Sequence, residues 1–270
     1  MHKIIFLISV SLHQKLKLKP GRNPLRLYSS YSFKTLNIAM KFTFISKLML
    51  CMGAAVTLSS CSIDDDDYPV VPPVDAAFGV IANASPNSGE LFFFADSNRL
   101  NNAGITYTGA EGYYNLYTGS RIISVKNAGG TTLATDTITL AAGQYFSTFA
   151  VNTFDNIELV TYGDSLQYPA NGKAYVRFTN LSPDADSINV ASPSTTFATG
   201  LAFMQATDFI EVPSGIYDFN FTDAATTDTL FTDSAVNLYA GHIYTIYTKG
   251  FVTPATGSNE TFSTKLLRNY

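Results

Sequence analysis

Residues 77–86, AFGVIANASP, return 97 positions later as AYVRFTNLSP at 174–183. LAAGQYFSTFAV (140–151) returns as LYAGHIYTIYTK (238–249) at an offset of 98, and between these anchors LYTGSRIISV answers EVPSGIYDFN at an offset near 96. Three anchors in one order at nearly constant spacing indicate a duplication. A period of that size is a whole domain, far longer than the roughly 20–50-residue unit of a solenoid.

Within each copy the pattern has period two. YVRFTNL, IYDFNF and HIYTIYT alternate or nearly so and are rich in Val, Ile, Thr, Tyr and Phe, the residues that favour strands. Turn punctuation recurs between them as SPNSG, NAGG and YTG in the first copy and SPDADS, PSG and TDAATTD in the second. No long segment outside the N-terminal region has a 3.6-residue period. About seven short strands per copy is the rhythm of an immunoglobulin-like sandwich. The expected fold is all-β, with two immunoglobulin-like β-sandwich domains in tandem at 76–168 and 172–270. Gly143 and Gly241 fit the turn before a central strand, where a positive φ is needed.

RFTNLSPDADSINV, LAFMQATDFIEVPSGIYDF and LYAGHIYTIYTKG resemble the "domain of unknown function 4397" family of bacterial extracellular domains. The resemblance covers nearly all of the second copy and, more loosely, the first. In the first, Asn87 replaces the Asp of the Ser-Pro-Asp turn and LYTGSR replaces the Pro-Ser-Gly pattern. These motifs are turns rather than chemistry, so the resemblance implies a fold and an extracytoplasmic setting and carries no activity.

The N-terminal region reads separately from this body. All nine Lys and Arg before residue 60 lie in a segment without Asp or Glu; eight basic and 21 acidic residues follow from 61 onward, a formal net charge of −13 there. Read from Met40, MKFTFISKLMLCMGAAVTLSSC has a basic start, a short apolar stretch and small residues before Cys61, the form of a secretory signal. That stretch is shorter than the ~20 apolar residues a membrane-spanning helix needs. LSSC resembles the lipobox of bacterial lipoproteins, which implies acylation of Cys61. Asp64, Asp65, Asp66 and Asp67 resemble the acidic export signal of Bacteroidetes-type surface lipoproteins. Residues 1–60 are thus expected to be a signal region whose true start is Met40, and 61–75 an acidic, Pro-rich tether. The implied address is the outer membrane, lipid-anchored and exposed at the cell surface.

Chemistry is sparse in the body. It has one histidine, His242, and its sole cysteine is Cys61, which leaves no Cys nucleophile or Cys-based metal site within the domains. No P-loop, GxSxG or HExxH pattern occurs. Asp184 and Asp186 in SPDADS suit Asx-turn hydrogen bonding, with calcium as the sharper alternative. An acidic body is a poor partner for nucleic acid. No enzyme, cofactor or metal is expected.

Aromatics are the better lead. LFFFAD (91–96) must send at least one phenylalanine to each face of a strand, and Phe93 or its neighbours would form a sticky surface unless the adjacent domain covers them. Tyr113 and Tyr114 in GYYNLY pair an apolar ring with a polar tip, suiting sugar or protein contacts. Five Asp-Ser/Thr-apolar triplets resemble the O-glycosylation acceptor of Bacteroidetes-type envelopes, with acceptors Thr137, Ser165, Ser187, Thr229 and Ser234. The expected function is a non-enzymatic surface lipoprotein acting as a structural or adhesive binding module. The alternative is an accessory glycan-binding component of a nutrient-uptake system. The expected partners are the membrane through the lipid anchor, and a glycan or surface protein.

Overall fold

A computed structural model describes residues 75–269; Cys61 and Asp64–Asp67 lie outside the described residues. Those residues are almost entirely β, with one 3₁₀ turn at Phe154–Asn156. The first sandwich contains β1 (Ala76–Asn83), β2 (Leu91–Ala95), β3 (Asn98–Arg99), β4 (Ala110–Tyr117), β5 (Gly119–Asn127), β6 (Thr132–Leu140), β7 (Tyr145–Val151) and β8 (Glu158–Asp164). The second contains β9 (Lys173–Thr179), β10 (Ser187–Ser192), β11 (Thr195–Ala202), β12 (Ile210–Pro213), β13 (Gly215–Asp223), β14 (Thr229–Leu238), β15 (Ile243–Lys249) and β16 (Ser263–Arg268).

Each sandwich has eight strands rather than the expected seven or so. The two-residue β3 is too short to carry a period-two signal. The two halves repeat one topology. Sheets β4-β1-β7-β8 and β12-β9-β15-β16 match in order, as do β3-β2-β5-β6 and β11-β10-β13-β14. In both, the first strand runs parallel to the seventh, with Phe78 opposite Tyr145 and Tyr175 opposite Ile243. Gly143 and Gly241 take φ of +74° and +79° in the preceding turn, and each amide donates to the start of the first strand, at Ala76 and Lys173.

Alternation explains the layering. On β7, Phe146 and Ala150 face the interior of the first sandwich, while Phe149 and Val151 face the other way, into a cluster shared with Leu181 and Tyr247 of the second. The strands β1, β7, β9 and β15 are therefore buried on both faces. Two inner sheets pack face to face and two outer sheets lie beyond them. A solvated sheet would place polar residues on one of those faces; here both are covered. The second sandwich fills its interior with rings, Phe178 lying 5.1 Å from Phe219 and 5.2 Å from Phe197.

The SP loops after β1 and β9 are organised by a buried asparagine. Asn83 Nδ2 donates to Ser88 Oγ and to the Ile105 carbonyl; Asn180 Nδ2 donates to the carbonyls of Ala185 and Leu201. Each Oδ1 accepts the amide two residues on, of Ser85 and Ser182. A side chain that satisfies this many loop groups makes the turn part of the core.

Candidate functional site

The seam between the inner sheets holds a buried polar network. Asp164, at the end of β8, sets Oδ1 2.8 Å from Arg177 Nη2, with the two side chains 0% and 2% exposed. Its Oδ2 accepts from Ser147 Oγ (2.6 Å), Tyr113 Oη (3.1 Å) and Asn269 Nδ2 (3.3 Å). Arg177 further donates to Thr245 Oγ1 and to the Gly163 carbonyl, and Thr245 donates to Asn269 Oδ1 at 2.7 Å. Positions equivalent in register thus meet each other. Ser147 and Asp164 of the first half face Thr245 and Asn269 of the second, and the ring of Phe149 meets that of Tyr247 at 5.4 Å. This is the pattern of an isologous interface, here within one chain. Arg177 breaks the equivalence, because its counterpart on β1 is Val80.

The network forms one wall of an open cleft of about 430 Å³ lined by Phe78, Tyr113, Tyr145, Leu166, Tyr168, Ile243 and Asn269. Phe78 and Tyr145, cross-strand partners on the parallel pair, stack at 4.8 Å, and Tyr113 meets Tyr145 edge-on at 5.4 Å. Burial first, then the charge of Asp164, holds the Tyr113 phenol well above the ordinary tyrosine range, so it remains a neutral donor at all working pH. Tyr168 stands 76% exposed at the rim. The volume falls within the range of small-ligand sites. A second hollow of about 560 Å³ is lined by residues including Tyr162, Gln167, Arg177 and Phe209. Two of its rings lie against the guanidinium, which is 4.4 Å from the Phe209 ring and 5.4 Å from that of Tyr162, while Tyr175 also lines it.

Of the three aromatics singled out in the sequence, Tyr113 lines this cleft. Tyr114 is partly buried against the first core and donates its hydroxyl to Glu111. Phe93 needs correction. It is fully buried among Leu91, Ile105 and Val125, and strand alternation sends Phe92 and Phe94 outward instead. Phe78, Tyr145, Tyr168 and Asn269 were missed: they come from four segments that only the parallel pairing and the seam bring together.

Asp184 is committed to the fold, its carboxylate accepting the amides of Val252 and Thr253, each at 2.8 Å. Among the described residues no group of three His, Cys, Asp or Glu is placed to hold a metal ion. His242 sits half-buried between the rings of Tyr239 and Tyr244, about 6 Å from each. Of the glycosylation acceptors, Thr137, Ser165, Thr229 and Ser234 are exposed and Ser187 is half-buried. The Asp of the Ser165 triplet is Asp164, which is sequestered in the seam.

Residues 80–191 match the family described as "Domain of unknown function (DUF4397)". That match begins in β1 and runs through the first sandwich to the end of β10, so it reaches the copy whose sequence motifs are weaker. No curated protein matches the chain. Among solved structures it is similar to the fimbrial anchor protein Mfa2 from Porphyromonas gingivalis, with 11% identity, a TM-score of 0.19, and coverage of 72% of this chain and 97% of that one. It is also similar to CBMbc (family CBM26) from Eubacterium rectale Amy13K in complex with maltoheptaose, with 12% identity, a TM-score of 0.24, and coverage of 72% and 97%.

Proposed function

We propose that this chain is a non-enzymatic binding module of the cell surface, held to the outer membrane by acyl groups on Cys61, and that its cleft takes a neutral glycan. The supporting observation is the arrangement of Phe78, Tyr113, Tyr145 and Tyr168 around an open hollow backed by a buried hydrogen-bonded network. Flat ring faces accept the C–H faces of a sugar ring, and phenol tips serve its hydroxyls. A preorganised wall lowers the ordering cost of binding. The second reading is a structural or adhesive role through protein contacts, favoured by the burial of Phe149 and Tyr247 in the seam, which joins the two sandwiches.

The test is an array of neutral oligosaccharides probed with the full chain, followed by calorimetry on any hit. Binding that disappears in Tyr145→Ala and Phe78→Ala, with unfolding temperature little changed, supports the glycan reading. Capture of no neutral glycan, or binding indifferent to both substitutions, sinks it and leaves the adhesive role. Mass spectrometry of the mature protein tests the anchor and the modification together. An acylated N-terminal Cys61, with hexose mass on Thr229 or Ser234, is expected; an unmodified N-terminus upstream of Cys61 would remove the surface address.

A further inference from the structure

The outer sheet of the first sandwich carries a face without a counterpart on the outer sheet of the second. Phe92 and Phe94 project from β2 away from the core, and each is overlain by a cation: the Arg99 guanidinium lies 4.3 Å from the centre of the Phe92 ring and the Lys126 ammonium 4.4 Å from that of Phe94. Arg99 is also braced by the carbonyls of Asn101 and Asn102. Neither cation is paired with a carboxylate among the described residues. Together they line a shallow hollow of about 140 Å³ beside the 127–130 turn. On the same face, across Ser124 and Ile122 of β5, stand the exposed hydroxyls of Thr135 and Thr137.

The fold does not require this arrangement. The second sandwich builds the same sheet with the same register, and there the cross-strand pair Phe92–Lys126 is Asn189–Thr222. Two cations held in place by rings, in a body of formal charge −13, are a local inversion of sign. Held on a sheet face that also carries the Thr135 and Thr137 hydroxyls, they select an extended anionic ligand whose remaining groups are mostly polar.

We propose that this face is a second binding site, separate from the cleft, for a carboxylate-bearing polysaccharide such as a uronate chain. Carboxylates accept from Arg99 and Lys126 in charge-assisted bonds, sugar hydroxyls meet the threonine row, and the phenylalanines fix the cations rather than stack on the sugar.

The probe is polygalacturonate, with its carboxyl-reduced polymer as the neutral control, in affinity electrophoresis of the full chain. The acidic polymer is expected to retard the protein and the reduced polymer to do so far less, with retardation weakening as salt rises. Arg99→Ala or Lys126→Ala should each weaken it about tenfold or more. The double variant Phe92→Asn with Lys126→Thr copies the second sandwich, so the sheet is expected to form, and it should abolish binding with an unchanged unfolding temperature. Tyr145→Ala should leave it unchanged, which separates failure here from failure of the cleft reading. Equal retardation of the Tyr145→Ala protein, whose cleft is disabled, by both polymers, or retardation indifferent to the Arg99 and Lys126 variants, overturns the proposal. So does cation-dependent binding to vesicles containing phosphatidylglycerol without binding to the acidic polymer, which would make the face a lipid contact.

Discussion

The two sandwiches share strand order, the parallel first strand, the buried loop asparagine and the left-handed turn before the seventh strand, yet use their surfaces differently. Where the first outer sheet places Phe92 opposite Lys126, the second places Asn189 opposite Thr222 and joins them by a side-chain hydrogen bond. One rung along, Thr232 donates to Asn220 Oδ1. The second face satisfies itself; the first leaves two cations for something else. What is common to the halves is what the fold needs, and what differs between them is where function can reside.

The largest departure from equivalence lies in the seam, where Arg177 stands at the position of Val80. Replacing Arg177 by Met leaves the Asp164 carboxylate buried without its counter-charge, and a cost of about 3–5 kcal/mol is expected. Adding Asp164→Asn, which copies Asn269, should recover most of that loss. Urea unfolding of the single and double variants measures both. Equal destabilisation in the two would show that Arg177 acts through packing alone, and the seam would then be a hydrophobic contact rather than a paired-charge lock.

A turn offers the next contrast. Gly250, after β15, has φ +74°, and its counterpart after β7 is Asn152 at φ +66°. Asparagine tolerates this region, so the conformation alone does not demand glycine. Space does: a Cβ on Gly250 would collide with the backbone of Glu260 and Thr261. Gly250→Ala should therefore cost about 2–4 kcal/mol, from the left-handed penalty plus overlap, while Asn152→Gly, at a φ glycine adopts freely, changes stability by less than about 1 kcal/mol. Similar losses at both sites would mean that the loop ending in Thr261 moves aside and that the difference between the halves is incidental.

Alternation made the strands legible because each carries one period-two pattern whichever sheet it joins. It also hid the seam. In YVRFTN an arginine between Val176 and Phe178 falls on the face a solvated sheet would give to water, and nothing local says that a second sandwich covers it. Its partner Asp164 sits in another half, and Asn269 lies a hundred residues further on. Three phenylalanines in a row fixed that both faces would be apolar but not the phase, which depends on the register of Phe93 with Val125. The cleft was legible only through Tyr113. A net charge summed over the body concealed Arg99 and Lys126, whose effect depends on place rather than number.

The smallest contrast is between two carboxylates near the surface that clip hairpin ends, Asp96 exposed and Asp223 half-buried. Asp96 accepts the Ile122 amide at 3.0 Å and pairs with Arg121 at 3.1 Å; Asp223 accepts the amides of Thr226 and Ala225 at 2.8 Å each. Both are held below the ordinary carboxylate value, Asp96 first by the Ile122 amide and then by Arg121, Asp223 by its two backbone amides. A carboxyl lowered in the folded state adds stability that is complete above about pH 4 and is lost as pH falls through the lowered value. Only Asp96 has a cation among its causes, and salt screens an exposed ion pair while leaving backbone hydrogen bonds in place. In an NMR titration, added salt should therefore return Asp96 part of the way toward the ordinary value and leave Asp223 where it is. Since Asp96 ties β2 to β5 two residues from Phe94, its protonation should also loosen the cation-bearing face before it touches the second sandwich. Shifts at Asn189 and Thr222 moving together with those at Phe92 and Lys126 would show instead that the two outer sheets respond as one.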